Sequence, residues 1–401
     1  LDRQYLLRFT SGAPSTLLSL VSEQRMQNII PLFQRGLRFD QVILLASARQ
    51  GDTAGVEVNP RFARIAGDLA AALDGRAGVT LWPRAVDPML PDSTASACAE
   101  IATQLGGAAT QLGGSAAVTI NFTGGTKPMS IGAYQAGLAS GAPMLYVDTQ
   151  QEQILHFAGG AARAEPFALE PIRVAQMLAA HGKPINPSWT HSKQPSAAEE
   201  EITRELFARR PGSIGPVLAA QTLLRAQPAD ADHEKFLPAA GADWLADALV
   251  ASGLARPEGA GLRVCMTGLR YLDGGWLEQY VLLVLQRDGR FADVAGNVQL
   301  SGIENELDAA CTFNGKLGIV ECKSGKIEGG VGSATTNRLR ALKESLAGTF
   351  GKTILVACTP NADMPRRFLD RAREYVSCVA GLEDLGRVEG LIYDAIAARS
   401  R

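Results

Sequence analysis

Asn305 to Lys323 reads NELDAACTFNGKLGIVECK, and its turn decides how the C-terminal part of the chain is built. Asn314-Gly315 lies between two apolar runs, a strong hairpin signal because both residues tolerate the positive φ of a tight type I′ turn. With those two in the loop, Phe313 pairs with Lys316, Asp308 comes opposite Glu321, and Glu306 comes opposite Lys323. Side chains alternate along a strand. Glu306, Asp308, Glu321 and Lys323 are therefore expected on one face of the hairpin, with Val320 and Cys322 on the other.

Carboxylates directly opposite one another destabilise a sheet, so this pair needs a reason to be there. A divalent cation supplies one: Mg²⁺ takes one or two carboxylates and fills its other positions with water and substrate phosphate. Lys323, two residues beyond Glu321, is placed to orient or deprotonate an attacking water and to offset charge growing on a phosphate. An exposed hairpin with a surface ion pair is the simpler alternative. Against it, Leu317-Gly318-Ile319-Val320 reads as a strand buried on both faces, and charges at the end of such a strand are usually kept for work.

The arrangement resembles the PD-(D/E)xK restriction-endonuclease-like nucleases, with Asp308, Glu321 and Lys323 on the three motif positions and Leu307 where the motif has proline. The resemblance implies metal-dependent phosphodiester hydrolysis and a further acid on the helix before the hairpin. Gly274-Gly275-Trp276-Leu277-Glu278 opens such a helix, and Leu277, Tyr280, Val281, Val284 and Leu285 follow the 3.6-residue period. Glu278 lies off that stripe and is the candidate fourth acid, either as a metal ligand beside Asp308 and Glu321 or as an ordinary solvated glutamate. Glu306 is a further candidate to assist.

In the first half, short apolar runs alternate with helical stretches: Leu17 to Val21, Val42 to Ala46, Val79 to Trp82, Ala116 to Asn121 and Pro143 to Asp148. This alternation predicts an open, mainly parallel sheet with helices on both faces, which binds ligands beyond the carboxyl ends of its strands. Ser22-Glu23-Gln24 follows the first run and Ser47-Ala48-Arg49 the second. Asn121-Phe122-Thr123-Gly124-Gly125-Thr126-Lys127-Pro128 follows the fourth and runs into a helix. Its glycines let backbone approach a ligand, its proline suits a first helical turn with free amides, and Thr123, Thr126 and Lys127 add donors. Phosphate or ribose is the expected ligand class, with a plain turn as the alternative. The spacing is neither Walker A nor GxGxxG.

That loop, with the strand opening onto Ser22 and Gln24, resembles the signature of CRISPR-associated Rossmann-fold (CARF) sensor domains. The resemblance implies a homodimer binding a cyclic oligoadenylate, most simply cyclic tetra-adenylate, through Asn121, Thr123, Gly124, Gly125, Thr126 and Lys127, with Ser22, Gln24 and Ser47 assisting. Joined to a restriction-like domain it implies an antiviral nuclease of type III CRISPR defence, allosterically activated to cut DNA and possibly RNA.

Composition agrees with this reading without adding to it. The chain has 401 residues, 46% apolar and 20% charged, with net charge −2, so no global basic field marks a nucleic-acid binder. Six cysteines form no CxxC pair, which suits reduced thiols in a cytoplasm, and four histidines form no zinc pattern. No apolar run approaches the ~18 residues of a membrane span.

The expected fold class is therefore α/β: a Rossmann-like sensor domain over residues 16–165 after an N-terminal extension (1–15), a linker and mostly helical connector (166–270), and an α/β nuclease domain (271–401). Within the connector, helices over Glu199 to Arg209, Ile214 to Ala226 and Asp243 to Ser252 precede a small hairpin closing on Arg263-Val264-Cys265. That order resembles a winged helix. Asp243 to Ser252 carries two aspartates and no basic residue, which favours a structural connector. Gly159 to Glu170 and Ile185 to Pro195 read as linkers, and Ser324 to Ala334 as a mobile glycine-rich loop. A helix over Thr335 to Leu346 carries Asn337, Arg338, Arg340 and Lys343, and a basic helix near Pro365 to Tyr375 carries Arg366, Arg367, Arg371 and Arg373. Arginines near the nuclease part are candidates for backbone neutralisation, with a solvated helix face as the equal alternative.

Two rival readings remain: a ligand-sensing DNA-binding regulator with a silent hairpin, and a restriction or repair nuclease that needs no ligand.

Overall fold

The computed structural model describes residues 15–49, 57–111, 117–158, 161–188, 195–208, 214–228, 233–238, 243–302, 306–327, 329–347 and 351–398. The N-terminal extension (residues 1–14) and residues 189–194 of the second linker lie outside the described residues. The chain divides into two compact units, Leu1–Pro184 with Arg399–Arg401, and Ile185–Ala398.

The first unit runs β1 (Ser15–Leu20), α1 (Met26–Phe33), β2 (Gln41–Leu45), α2 (Pro60–Ala72), β3 (Gly78–Leu81), α3 (Pro91–Gln111), β4 (Ala117–Asn121), α4 (Lys127–Ser140), β5 (Met144–Asp148), β6 (Gln153–Ala158), β7 (Ala161–Pro166) and α5 (Val174–Ala180). Its seven strands lie in the order β3-β2-β1-β4-β5-β6-β7. The first five are parallel, and β6 and β7 add antiparallel to the edge. Leu18 and Leu20 of β1 pack with Ile101 of α3 and Met129 of α4. On the opposite face, Ser19 accepts a hydrogen bond from Asn28 of α1. Both faces of β1 are thus covered, which is why its residues read as a continuous apolar run. One expectation is corrected: Ala161–Pro166, whose Gly/Ala-rich surroundings mark a linker, forms β7. Backbone pairing with β6 does not depend on side-chain type, so composition conceals it.

The second unit begins with α6 (Ala197–Ala208), α7 (Ile214–Arg225), β8 (Lys235–Pro238), α8 (Asp243–Ala251), β9 (Ala255–Glu258) and β10 (Gly261–Val264). The small hairpin forms as expected, and β8 joins it in a three-stranded sheet of order β8-β10-β9. After α9 (Met266–Arg270) a kinked turn (Tyr271–Gly275), non-helical at Gly274, leads into α10 (Trp276–Asp288). Then come β11 (Asp293–Gln299), β12 (Glu306–Phe313), β13 (Lys316–Lys323), α11 (Gly329–Leu342), β14 (Gly351–Ala357), α12 (Arg366–Tyr375), β15 (Cys378–Ala380) and α13 (Val388–Ala397).

The five-stranded sheet follows chain order, antiparallel from β11 to β13 and parallel from β13 to β15. Leu277, Tyr280, Val281, Val284 and Leu285 of α10 are all buried, as their period predicts. They share a core with Val320 and Cys322 of β13 and with Ile392 and Ile396 of α13. The other face packs Leu355 and Ala357 of β14 against Leu339 of α11 and Phe368 of α12. A second correction falls here: α11 begins at Gly329, inside the stretch read as a mobile loop. Helix Leu339–Leu355 packing outweighs the low helix propensity of its glycines.

Candidate active site

Asn314 and Gly315 adopt φ of 45° and 74°, the positive pair that the tight turn requires. The register follows: Phe313 pairs with Lys316, and the ladder continues in step to Ala309 and Val320. It stops one residue short of Asp308. There the Asp308 side chain replaces the missing backbone contact, its Oδ2 accepting from the Cys322 N–H at 2.7 Å. On the other side, β11 pairs with β12 at Gly296–Ala309 and Val298–Leu307 but skips the position between them. Asn297, which would face Asp308, has φ 51°. The sheet is therefore interrupted on both sides of Asp308 with no change of register. Local ladder distortions of this kind re-aim a side chain. The sequence contains the signal only as an asparagine, a residue tolerant of positive φ.

Glu321 is 1% exposed on β13, and Lys323 lies two residues further along the same face. Lys323 Nζ stands 2.6 Å and Arg338 Nη1 2.9 Å from Glu321 Oε1. Both contacts are ionic in distance but poorly aligned as hydrogen bonds, so the buried Oε1 keeps acceptor capacity. Arg338, on α11, also donates through Nη2 to the Glu306 carbonyl and so ties α11 to the start of β12. Arg338 was anticipated only as one of several basic residues near the centre; its bond to Glu321 depends on how α11 packs.

The carboxylates interact strongly. Burial pushes Asp308 up to about 7, with Glu321 and Glu278 adding to the rise and the Cys322 N–H and Lys323 opposing it. Glu278, on α10, is likewise raised, first by burial and then by Glu306 and Glu321, against the pull of Lys323 and Arg338. The structure thus brings Glu278, Asp308, Glu321 and Lys323 into one cluster, with Glu306 at its margin. Among the described residues no three His, Cys, Asp or Glu side chains form a ready-made metal cage. Two carboxylates on neighbouring strands, the half-buried Asp308 protonating near neutrality and the buried Glu321 with an unsatisfied oxygen, nevertheless suit a hard divalent cation whose other ligands are water and phosphate.

In the first unit, the loops after β1 and β4 meet where strand order reverses, the crevice used for ligands in such sheets. Asn121 is 1% exposed and fully engaged. Its Nδ2 donates to Ser19 Oγ and the Gln27 carbonyl, both at 2.9 Å, and its Oδ1 accepts from Thr123 Oγ1 at 2.6 Å. It holds the loop in shape and presents nothing outward. Thr123 Oγ1 in turn accepts from Val147 N–H at 2.7 Å. Gly124 lies against β1: a Cβ there would fall 2.2 Å from the Leu20 carbonyl oxygen, so no other residue fits. Gly125 has φ 72°. Thr126 caps α4, its hydroxyl accepting from Met129 N–H and donating to the Pro88 carbonyl. Lys127 is exposed at the start of α4.

Half-buried Ser22 and exposed Gln24 are linked through Gln27, whose amide donates to Gln24 Oε1 at 2.6 Å. Ser47, expected to assist ligand binding, is instead 4% exposed and bridges Val86 through its backbone. β2 ends at Leu45, and Ser47 lies under cover because the chain beyond the strand stays bridged to Val86. The outward groups are therefore Lys127, Ser22 and Gln24.

Residues 265–399 match the family model described as Card1-like, endonuclease domain. No curated protein sequence matches the chain. The crystal structure of protein VC1899 from Vibrio cholerae shares 18% identity at a TM-score of 0.74, over 96% of this chain and 99% of that one. Can2 from Sulfobacillus thermosulfidooxidans, in complex with cyclic tetra-adenylate, shares 20% identity at 0.68, over 96% and 98%. A type III CRISPR defence DNA nuclease activated by cyclic oligoadenylate shares 19% at 0.53, over 90% of this chain and 48% of that one. At these identities the three likenesses speak for fold. Together with the family match they show that residues 265–399 resemble the Card1-like endonuclease domain and that the chain as a whole shares the fold of these structures.

Proposed function

We propose that the protein is a metal-dependent nuclease, acting as a homodimer, that is switched on by a cyclic oligoadenylate, cyclic tetra-adenylate being the first candidate, in type III CRISPR defence. The observation that carries the nuclease part is the half-buried Asp308 beside the buried Glu321, with Lys323 on the Glu321 carboxylate. Asp308 and Glu321 would hold Mg²⁺ or Mn²⁺, with Glu278 completing the acidic set. When bound, the cation supplies Lewis-acid polarisation of a phosphoryl oxygen and a more acidic water.

The remaining steps belong to the protein. Burial of the acids strengthens every charge interaction in the site. Lys323, held against Glu321, is placed to orient the attacking water and to offset charge on the phosphate. Arg338 fixes the Glu321 carboxylate and the start of β12, so that the two carboxylates keep their separation. In the first unit, the Lys127 ammonium at the positive end of the α4 dipole forms an anion-binding end, flanked by Ser22 and Gln24. A two-fold dimer presents two such ends to one ring. The ligand acts by favouring one arrangement of the dimer over another. DNA is the first substrate to test, and RNA the second.

Supercoiled plasmid incubated with Mn²⁺, with and without cyclic tetra-adenylate, tests the reading in one gel beside Glu321→Ala. Nicking that needs both ligand and Glu321 is the expected result. Nicking without ligand would favour a free-standing nuclease. Ligand and DNA binding with no cleavage of plasmid, single strands or RNA would favour a regulator.

A further inference from the structure

Three side chains outside the acidic cluster converge on one backbone carbonyl. The oxygen of Asp273, in the kinked turn before α10, accepts from Gln221 Nε2 at 2.8 Å, Arg225 Nη2 at 2.8 Å and Ser324 Oγ at 2.9 Å. Gln221 Nε2 also lies 2.7 Å from Ser324 Oγ, and Arg225 Nε reaches Asp273 Oδ1 at 2.6 Å. Gln221 and Arg225 are one turn apart on α7, so they face the same way. Ser324 directly follows Lys323, and Asp273 precedes Glu278 by little more than a turn of helix. The knot therefore joins the strand end that carries Lys323 to the helix start that carries Glu278.

Two further features show that this knot is more than packing. Gln221 is 4% exposed among Val217 and Leu224, where an apolar side chain of its size would pack at lower cost. Polar groups kept in such places form networks in which each member fixes the others. The carbonyl they grip lies at the kink between α9 and α10, beside Gly274, whose backbone is not helical.

We propose that Gln221 and Arg225 of the connector, acting through Ser324, are positioning residues for phosphodiester hydrolysis: they set Lys323 and Glu278 at their working separation and make the connector part of the nuclease. The inference rests on the function proposed above and replaces the reading of this region as an inert spacer. Errors of about 1 Å in a reacting group cost roughly a hundredfold in rate, so losing part of such a lock is expected to cost about tenfold or more.

The test uses the full chain with Mn²⁺, cyclic tetra-adenylate and a fluorophore–quencher single-stranded oligodeoxynucleotide. Gln221→Met keeps the volume and removes the donors; Ser324→Ala removes the hydroxyl and Ser324→Thr retains it. Gln221→Met and Ser324→Ala should lower kcat by about tenfold or more with KM nearly constant, and Ser324→Thr should keep it. Without substrate, hydrogen–deuterium exchange should rise in the peptide over residues 321–327 in the first two variants and stay at the parent level in the third. Unchanged exchange and a kcat within about twofold of the parent would overturn the proposal. So would a loss of thermal stability that tracks kcat and appears equally in Ser324→Thr. Glu321→Ala that still cuts is a separate outcome, which would sink the nuclease reading itself.

Discussion

Asp308→Asn should make the metal-free protein more stable while abolishing cleavage. Burial and two neighbouring carboxylates raise Asp308 from the ordinary 3.8 to about 7, so the folded state holds this proton more tightly than the unfolded chain. The cost of the charged form therefore grows as pH rises from about 4 to about 7. At about 1.4 kcal/mol per pH unit, ionised Asp308 opposes folding by about 4 kcal/mol at pH 8 and by about 2 kcal/mol at pH 5. Asparagine removes the charge and keeps an oxygen for the Cys322 N–H, now at 2.7 Å. Thermal unfolding in EDTA should show the variant's midpoint raised by roughly 10 °C at pH 8 and by about half that at pH 5. Added Mn²⁺ should stabilise the parent and leave the variant nearly unmoved, because the cation replaces the proton only where the carboxylate exists. A variant no more stable than the parent at pH 8, or a gain that ignores pH, would refute the reasoning.

Three other substitutions follow from the same geometry. Arg338→Gln leaves the buried Glu321 with Lys323 alone, and should cost about 1–3 kcal/mol in EDTA; Mn²⁺ should restore most of it in a thermal-shift assay. Gly124→Ala drives a Cβ to 2.2 Å from the Leu20 carbonyl oxygen, so β1 and β4 must part; a loss of about 2 kcal/mol or more is expected by urea unfolding, with ligand affinity falling alongside. Lys127→Ala should leave stability unchanged within about 0.5 kcal/mol. It should weaken cyclic tetra-adenylate binding by roughly tenfold and flatten its salt dependence, read by calorimetry at two ionic strengths; full affinity would remove Lys127 from the ligand site.

Much of the nuclease centre was legible because its information is local. Asn314-Gly315 sets the turn, the turn sets the register, and period two then places Asp308, Glu321 and Lys323 on one face. The stripe on α10 located Glu278 in the same way. In the first half, buried strands and the loop Asn121 to Lys127 could be read because both faces of a parallel strand are apolar and a close backbone approach demands glycine. Local patterns failed where a partner distant in sequence decides. Nothing in Ala161–Pro166 announces pairing with β6, and nothing in Ser47 says that a bridge to Val86 will hold it under cover.

The acidic pair, its lysine and the loop Asn121 to Lys127 were thus determined by the sequence itself, through turn chemistry and side-chain alternation that act within about 20 residues. Only the tertiary structure decided which groups answer them: Arg338 on Glu321, Asn297 opposite Asp308, Asn121 turned inward, and Gln221 and Arg225 gripping the start of α10. Each of those depends on where separate elements pack. Packing is fixed by the shape of the whole core, and no short stretch of chain contains it.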